Sequence, residues 1–367
     1  MGLGARQAER SSEPRRTKTQ TANGGNPMLE RIRASLSLLN RRDRAILMAL
    51  GAGRIALHGL DLLGLASLGL LAAIFAGDRG GLSENEILGV SLPGGSPELY
   101  MQIIGAVTGL FLLKSLLGAA LLRFTTLTLA RIESGASLEI ASYIFSEGLS
   151  RFQRETMGEI QFAINTSAHI AFSVIPYSLM ILVTEGALFV VVLVAFIFID
   201  AVAAVFVFLY FAIVLLLFQK LINKRLRRLG GRLRDTQIRL TDSLLSVIHG
   251  FREISVFEQR EEYLQAFGHS RRMMSRDLAL ERFTMAVPRY FIEGVFMLGI
   301  FALVLSQYLY GNLVSALVTI AVFLAGGTRM MAAMLPIQGA FSDLRIRAEQ
   351  AATAQRVLTK ARQASEM

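Results

Sequence analysis

The chain has 367 residues, 53% of them hydrophobic and only 18% charged, with a mean hydropathy of +0.49. That balance belongs to membrane proteins rather than to soluble domains. The absence of cysteine excludes disulfide frameworks, thiolate metal sites and cysteine nucleophiles, and the net charge of +10 calls for an explanation in topology or in an anionic partner.

Residues 1–27 are rich in Gly, Ser, Thr, Asn and Arg, and are expected to form a disordered basic tail. The first 44 residues are polar and basic and show no secretory leader. Arg6 breaks the myristoylation pattern that Gly2 would begin. Residues 28–44 alternate apolar positions (Leu29, Ile32, Leu36, Leu39) with Arg31, Arg33, Arg41 and Arg42. Such a helix lies on a membrane surface as an elbow before the first span.

A spanning helix needs about 20 apolar residues. Six stretches approach that length: 45–76, 99–122, 170–199, 201–218, 283–310 and 313–335. The third and fourth run together, and from Ile160 to Gln219 the only charges are Glu185 and Asp200. One helix of that length would reach about 90 Å, three times the hydrocarbon thickness, so the chain must turn, with Asp200 the natural place. The expected fold class is therefore an all-α membrane protein with six transmembrane helices over residues 45–360, and 361–367 as a tail.

The basic residues assign the sides. Residues 1–44, 131–160, 219–282 and 345–367 together hold 32 Lys and Arg, whereas the opposite loops hold only Arg79. The positive-inside rule puts both termini in the cytoplasm of a plasma-membrane protein. Topology thus accounts for the charge, and no nucleic acid is expected.

The connection from Lys220 to Arg282 recurs apolar at Leu226, Leu229, Leu233, Leu240, Leu244, Val247 and Phe251. This predicts an amphipathic helix carrying the fourth span outward by about 45 Å. Gly230-Gly231 predicts a kink or a close helix contact, and Gly250 a bend. A second helix, 259–282, then returns to the membrane. The connection between the second and third spans is a shorter version turning near 152–158.

Catalytic signatures are missing. None of the five lysines follows a glycine, so there is no Walker A loop, and the four histidines lack metal-ligand spacing. No catalytic or metal site is expected on this chain.

Ionisable residues inside the apolar spans cost about 2.5–3.5 kcal/mol each at a helix centre. The first span holds Arg54, His58 and Asp61 on one face, the second Lys114, the third Glu185, the fifth Arg289 and Glu293, and the sixth Arg329. Counted from the outer ends at about 1.5 Å per residue, Asp61, Lys114 and Glu185 lie about 22 Å deep and the others about 25 Å or more. Interhelical ion pairs with snorkelling arginines are one reading. A water-filled cavity open to the cytoplasm and ready for an anionic group is the other, and the common level across five helices favours it. Met273, Met274, Met285, Met297, Met330, Met331 and Met334 read as ordinary membrane packing ahead of an adaptable apolar binding surface, while Pro176, Pro288 and Pro336 permit bending.

This organisation resembles the transmembrane domain of an ABC exporter. Gly250-Phe251-Arg252-Glu253-Ile254, followed by residues 258–267, is similar to that family's second coupling helix, especially in flippases of lipid-linked oligosaccharides and polysaccharide exporters. Pro288-Arg289-Tyr290-Phe291-Ile292-Glu293 resembles the entry to their fifth helix, and Glu185 and Arg356 also fit. The resemblance implies a homodimer or a pairing with a homologous half-transporter. It implies that Arg151, Phe152, Gln153 and Arg154, and Phe251, Arg252, Glu253 and Phe257, dock on a nucleotide-binding ATPase subunit. ATP and Mg are implied only through that separate subunit. The alternative is a six-helix scaffold or regulatory subunit, derived from such a transporter and no longer coupled to ATP.

Overall fold

The computed structural model describes residues 27–80, 97–147, 155–199, 201–310 and 313–366. Among them every regular element is helical. In chain order these are α1 (Pro27–Ser37), α2 (Arg41–Gly80), α3 (Pro97–Ser146), α4 (Met157–Gln161), α5 (Ile175–Ile199), α6 (Ala201–His249), α7 (Phe251–Val256), α8 (Arg260–Tyr310) and α9 (Leu313–Glu366). Two π-helical stretches, Phe162–Ser167 and Ile170–Val174, join α4 to α5.

Three helical runs among the described residues are long and apolar enough to cross a membrane: Ile104–Ser146, Met157–Val194 and Arg260–Ala302. They overlap the second, third and fifth predicted spans. The protein is thus an all-α membrane protein. The other three predicted stretches lie on α2, α6 and α9, along which many side chains fall outside the description.

Helices α3, α6, α8 and α9 have 50, 49, 51 and 54 residues. At 1.5 Å per residue each is about 75 Å long, more than twice a hydrocarbon core of about 30 Å. Their polar portions project beyond it and pack together as a second bundle. That bundle holds the best-buried core: Ile140 and Ile144 of α3, Phe172 and Ile175 around the π-helical turns, and Leu344 and Leu358 of α9 are all at most 1% exposed. A neighbouring cluster joins Leu226, Leu229 and Leu233 of α6 to Met274 of α8 and Ile346 of α9. Along the apolar portions the pattern inverts. Leu112, Leu116, Val183 and Leu216 are exposed, as side chains are whose solvent is lipid.

Three expectations are corrected. The elbow is not one helix over 28–44: α1 ends at Ser37, and Arg41–Arg44 open α2. Asn40 supplies the break, its carbonyl accepting from Arg44 N at 3.0 Å as the first hydrogen bond of α2. The apolar stripe of residues 28–44 is split as well. Ile32 and Leu39 are buried in the protein core, while Leu29 and Leu36 face outward. Lastly, the returning helix and the fifth span are one helix, α8, which runs unbroken through Pro288. A proline inside a packed membrane helix is tolerated because neighbours satisfy the freed carbonyl.

Other expectations agree with the structure. Gly250 separates α6 from α7, and α5 ends and α6 begins on either side of position 200. Asp200 itself lies outside the described residues, as do 1–26 and the terminal Met367.

Candidate functional site

Two regions carry the sequence-predicted residues. The first is the polar level within the spans. On α2, Arg54 is half-buried, and its Nη1 is enclosed without a hydrogen-bond partner among the described residues. One turn on, His58 Nε2 lies 3.7 Å from Glu185 Oε1 of α5. Among the described ion pairs Glu185's partner is therefore His58, where the common depth suggests Lys114. Lys114 is half-buried on α3. Arg289 and Glu293 pair along α8, Nε donating to Oε1 at 2.8 Å, and both stand on an open face with side chains 69% and 42% exposed. The side chains of Asp61 and Arg329 lie outside the description. Among the described residues the level joins α2 to α5 through the His58–Glu185 contact, while the α8 pair is exposed.

Buried polar contacts line up below this level. Gln219 Nε2 of α6 donates to Gln338 Oε1 of α9 at 3.1 Å, and both residues are buried. Neither stands out in the sequence, because a single Gln in a helix has no periodic signature. Arg356, farther along α9, lies among Arg31, Arg234, Glu155 and Glu159. Partial desolvation, followed by the charges of Arg234 and Arg31, lowers its pKa against the opposing pull of the two glutamates.

The second region is the far end of the projecting bundle. Helix α7 crosses between α6 and α8 there, about 45 Å beyond Gln219 at 1.5 Å per residue. It begins after Gly250 and is closed by Glu258, which takes the left-handed φ of 54°. Gln259 N then reaches back to Ile254 O at 3.2 Å, satisfying a carbonyl at the helix end. Ile254 is buried against the hairpin, whereas Phe251, Val256 and Phe257 are 64%, 71% and 71% exposed. Arg252 and Glu253 are exposed beside them. Large apolar side chains that far from the spans are left uncovered by the described residues.

The first predicted docking segment, Arg151, Phe152, Gln153 and Arg154, lies outside the described residues. Its exit is held firmly. Thr156 caps α4 in a reciprocal box with Glu159. Asp242 of α6 adds two bonds, accepting from Thr156 Oγ1 at 2.9 Å and from Gly158 N at 2.7 Å. Gly158 is required here, since a Cβ would lie 2.6 Å from Asp242 Oδ1 and 2.7 Å from the Ile238 carbonyl oxygen. Asp242 escaped sequence reading because it sits among ordinary polar positions of an amphipathic helix. Its removal orphans a buried N–H, and hydrogen bonds to charged groups contribute about 1.5–3 kcal/mol. Asp242→Ala is expected to destabilise the projecting bundle by about 2 kcal/mol. It should also raise amide exchange at Gly158 and Glu159 ahead of the core, as read by hydrogen–deuterium exchange. Unchanged exchange at those amides would refute the assignment.

Another clamp joins the π-helical turn to α9. Buried Ser167 donates through Oγ to the Gln350 carbonyl at 2.6 Å and accepts from Ala354 N at 2.8 Å. Ser137 of α3 donates to the Ile164 carbonyl of the same turn at 2.7 Å. A π-helical turn displaces backbone groups from the ordinary ladder, and side chains of neighbouring helices take up that demand.

No cluster of three or more His, Asp or Glu residues able to hold a metal occurs among the described residues. No family model matches the chain, and no curated protein matches it.

Proposed function

We propose that the chain is the membrane-spanning part of an ABC-type exporter or flippase, with six spans and cytoplasmic termini. It works as a homodimer or beside a homologous half. ATP and Mg act on its nucleotide-binding ATPase partner, and the chain itself passes the partner's motion to the membrane. The observation that supports this reading best is the tip of the α6–α8 hairpin. A short transverse helix there presents Phe251, Val256 and Phe257 outward, with no lipid near to cover them. An apolar anchor flanked by Arg252 and Glu253 is the surface a cleft on a second protein would take.

In this mechanism long rigid helices act as levers. Closure of the ATPase partner displaces α7, and α6 and α8 transmit that displacement to the spans. The cargo is an anionic amphiphile, a lipid-linked glycan by resemblance. It is met by the cations within the spans, with Arg54, Lys114, Arg289 and Arg329 on four different helices.

The test is the double variant Phe251→Ser/Phe257→Ser, reconstituted in vesicles with the ATPase partner. Both side chains are exposed, so folding and insertion should match the unsubstituted protein. Nucleotide-driven transport and substrate-stimulated hydrolysis are each expected to fall at least tenfold, because truncating a central apolar anchor costs about 2 kcal/mol or more. Unchanged coupling in that variant would overturn the docking role of α7.

A further inference from the structure

A cleft of about 300 Å³ opens between α6, α9 and the start of α1. Its α6 wall carries Lys220, Lys224 and Arg227, three positions on one helical stripe. Arg345 and Glu349 form the α9 wall. The Glu349 carboxylate is already taken by Arg31, at 3.1 Å from its Nη2. Four cations therefore face one space whose lining carboxylate is neutralised from outside it.

Arg345 makes this more than a basic surface. Its guanidinium lies 5.9 Å from the centre of the Phe341 ring, and its Nη1 is buried without a hydrogen-bond acceptor among the described residues. Burial lowers the pKa of this side chain. A buried charged donor left unpaired is costly, and an anion in the cleft would relieve that cost. The height of the cleft identifies the anion's surroundings. Lys220 lies two residues past Phe218, the end of the apolar run, and the Gln219–Gln338 bond ties α6 to α9 at that level. Counted at about 1.5 Å per residue from Phe218, Lys220 lies about 3 Å and Lys224 about 9 Å past the expected fourth span, so the mouth of the cleft falls at the headgroup layer.

We propose that this cleft binds the phosphate of an anionic phospholipid headgroup. The guanidinium of Arg345 supplies a planar fork from the buried end, and Lys220, Lys224 and Arg227 act as charges at the mouth. Met28 of α1 lies at the rim. The site is separate from the cations within the spans. It rests on α6 and α9 being membrane helices, not on transport.

A soluble phosphate ester shares this chemistry, so the test has two arms. The purified full chain, delipidated in a neutral detergent, is titrated with phosphatidylglycerol or phosphatidylcholine, and bound lipid is read by native mass spectrometry. Glycerol 3-phosphate is titrated in parallel. Phosphatidylglycerol is expected to bind at least tenfold tighter than phosphatidylcholine. Lys224→Gln should weaken it about fivefold, the effect of one basic residue near a charged lipid surface. Arg345→Gln should weaken it at least tenfold, and Arg345→Lys should restore much of the loss. If Arg345→Gln does not fold, the exposed pair Lys220→Gln/Lys224→Gln carries the same comparison. Equal binding of the two lipids, or unchanged binding in the folded variants, overturns the proposal. Competition by millimolar glycerol 3-phosphate without a preference for the charged lipid assigns the cleft to a soluble ester and overturns the lipid source.

Discussion

Alanine at Gly230 is expected to lower stability by about 2–3 kcal/mol, whereas alanine at Gly231 should raise it by about 0.5–1 kcal/mol. The two glycines are adjacent on α6 and equally poor helix formers. Their surroundings differ completely. A Cβ on Gly230 would fall on the backbone carbonyl oxygen of Ile346, where α6 and α9 are in contact. Backbone cannot rotate aside as a side-chain tip can, so the helices must separate and disturb the cluster of Leu226, Leu229, Leu233 and Ile346. At Gly231 nothing lies within 4 Å of the added atom. There the methyl only reduces the freedom of the unfolded chain. Thermal melts of both variants in one detergent check the pair. Equal shifts of the same sign would remove Gly230 from the crossing.

Arg347→Met is expected to cost about 2–3 kcal/mol at neutral pH, near the lower end for breaking a buried ion pair because water reaches the guanidinium. Arg347 Nη2 of α9 lies 2.6 Å from Glu281 Oε1 of α8, a charge contact lacking hydrogen-bond alignment. The side chains are 29% and 9% exposed, so removing the arginine strands a carboxylate that is already out of water. The same guanidinium lies 3.8 Å from Asp343, where burial raises the carboxyl pKa above 3.8 and Arg347 opposes the rise. A carboxyl whose pKa is raised on folding contributes stability that is fully present below its unfolded value. That contribution is lost as pH climbs through the folded value. Without Arg347 the loss at Asp343 grows, so the deficit of the variant should be largest near pH 7 and shrink toward pH 4. The double variant Glu281→Leu/Arg347→Met should recover most of the stability, since an apolar pair replaces the ionic one without stranding a charge. A deficit independent of pH, or a double variant as weak as the single one, would refute this account.

Apolar length and the clustering of basic residues were legible from one dimension. They report on each segment's own solvent, which is why the all-helical membrane class, the turn near position 200, the long excursion 220–282 and the bend at Gly250 could be read directly. The short helix Phe251–Val256 was expected only through the resemblance to a coupling helix, since six residues carry no helical period of their own. Pairings were not legible. Counting depth along separate helices suggested Lys114 for Glu185, but depth leaves rotation about each axis open, and that rotation brings His58 to Glu185 instead. The break at Asn40 was missed for a related reason. Residues 28–44 keep one apolar rhythm, and only packing against the core shows that Ile32 and Leu39 belong to it while Leu29 and Leu36 do not.

By itself, then, the sequence determined which segments are helical, which seek lipid and which must project beyond it, since these depend on composition and periodicity within one segment. The tertiary structure alone decided that Gly230 and not Gly231 is the crossing point, and that Asp242 holds the start of α4. It also decided that Lys220, Lys224 and Arg227 meet Arg345 across a cleft. Each of those facts depends on the distance between atoms more than 80 residues apart in the chain. Such distances are set by how helices rotate and cross when their side chains interlock, and no local pattern encodes them.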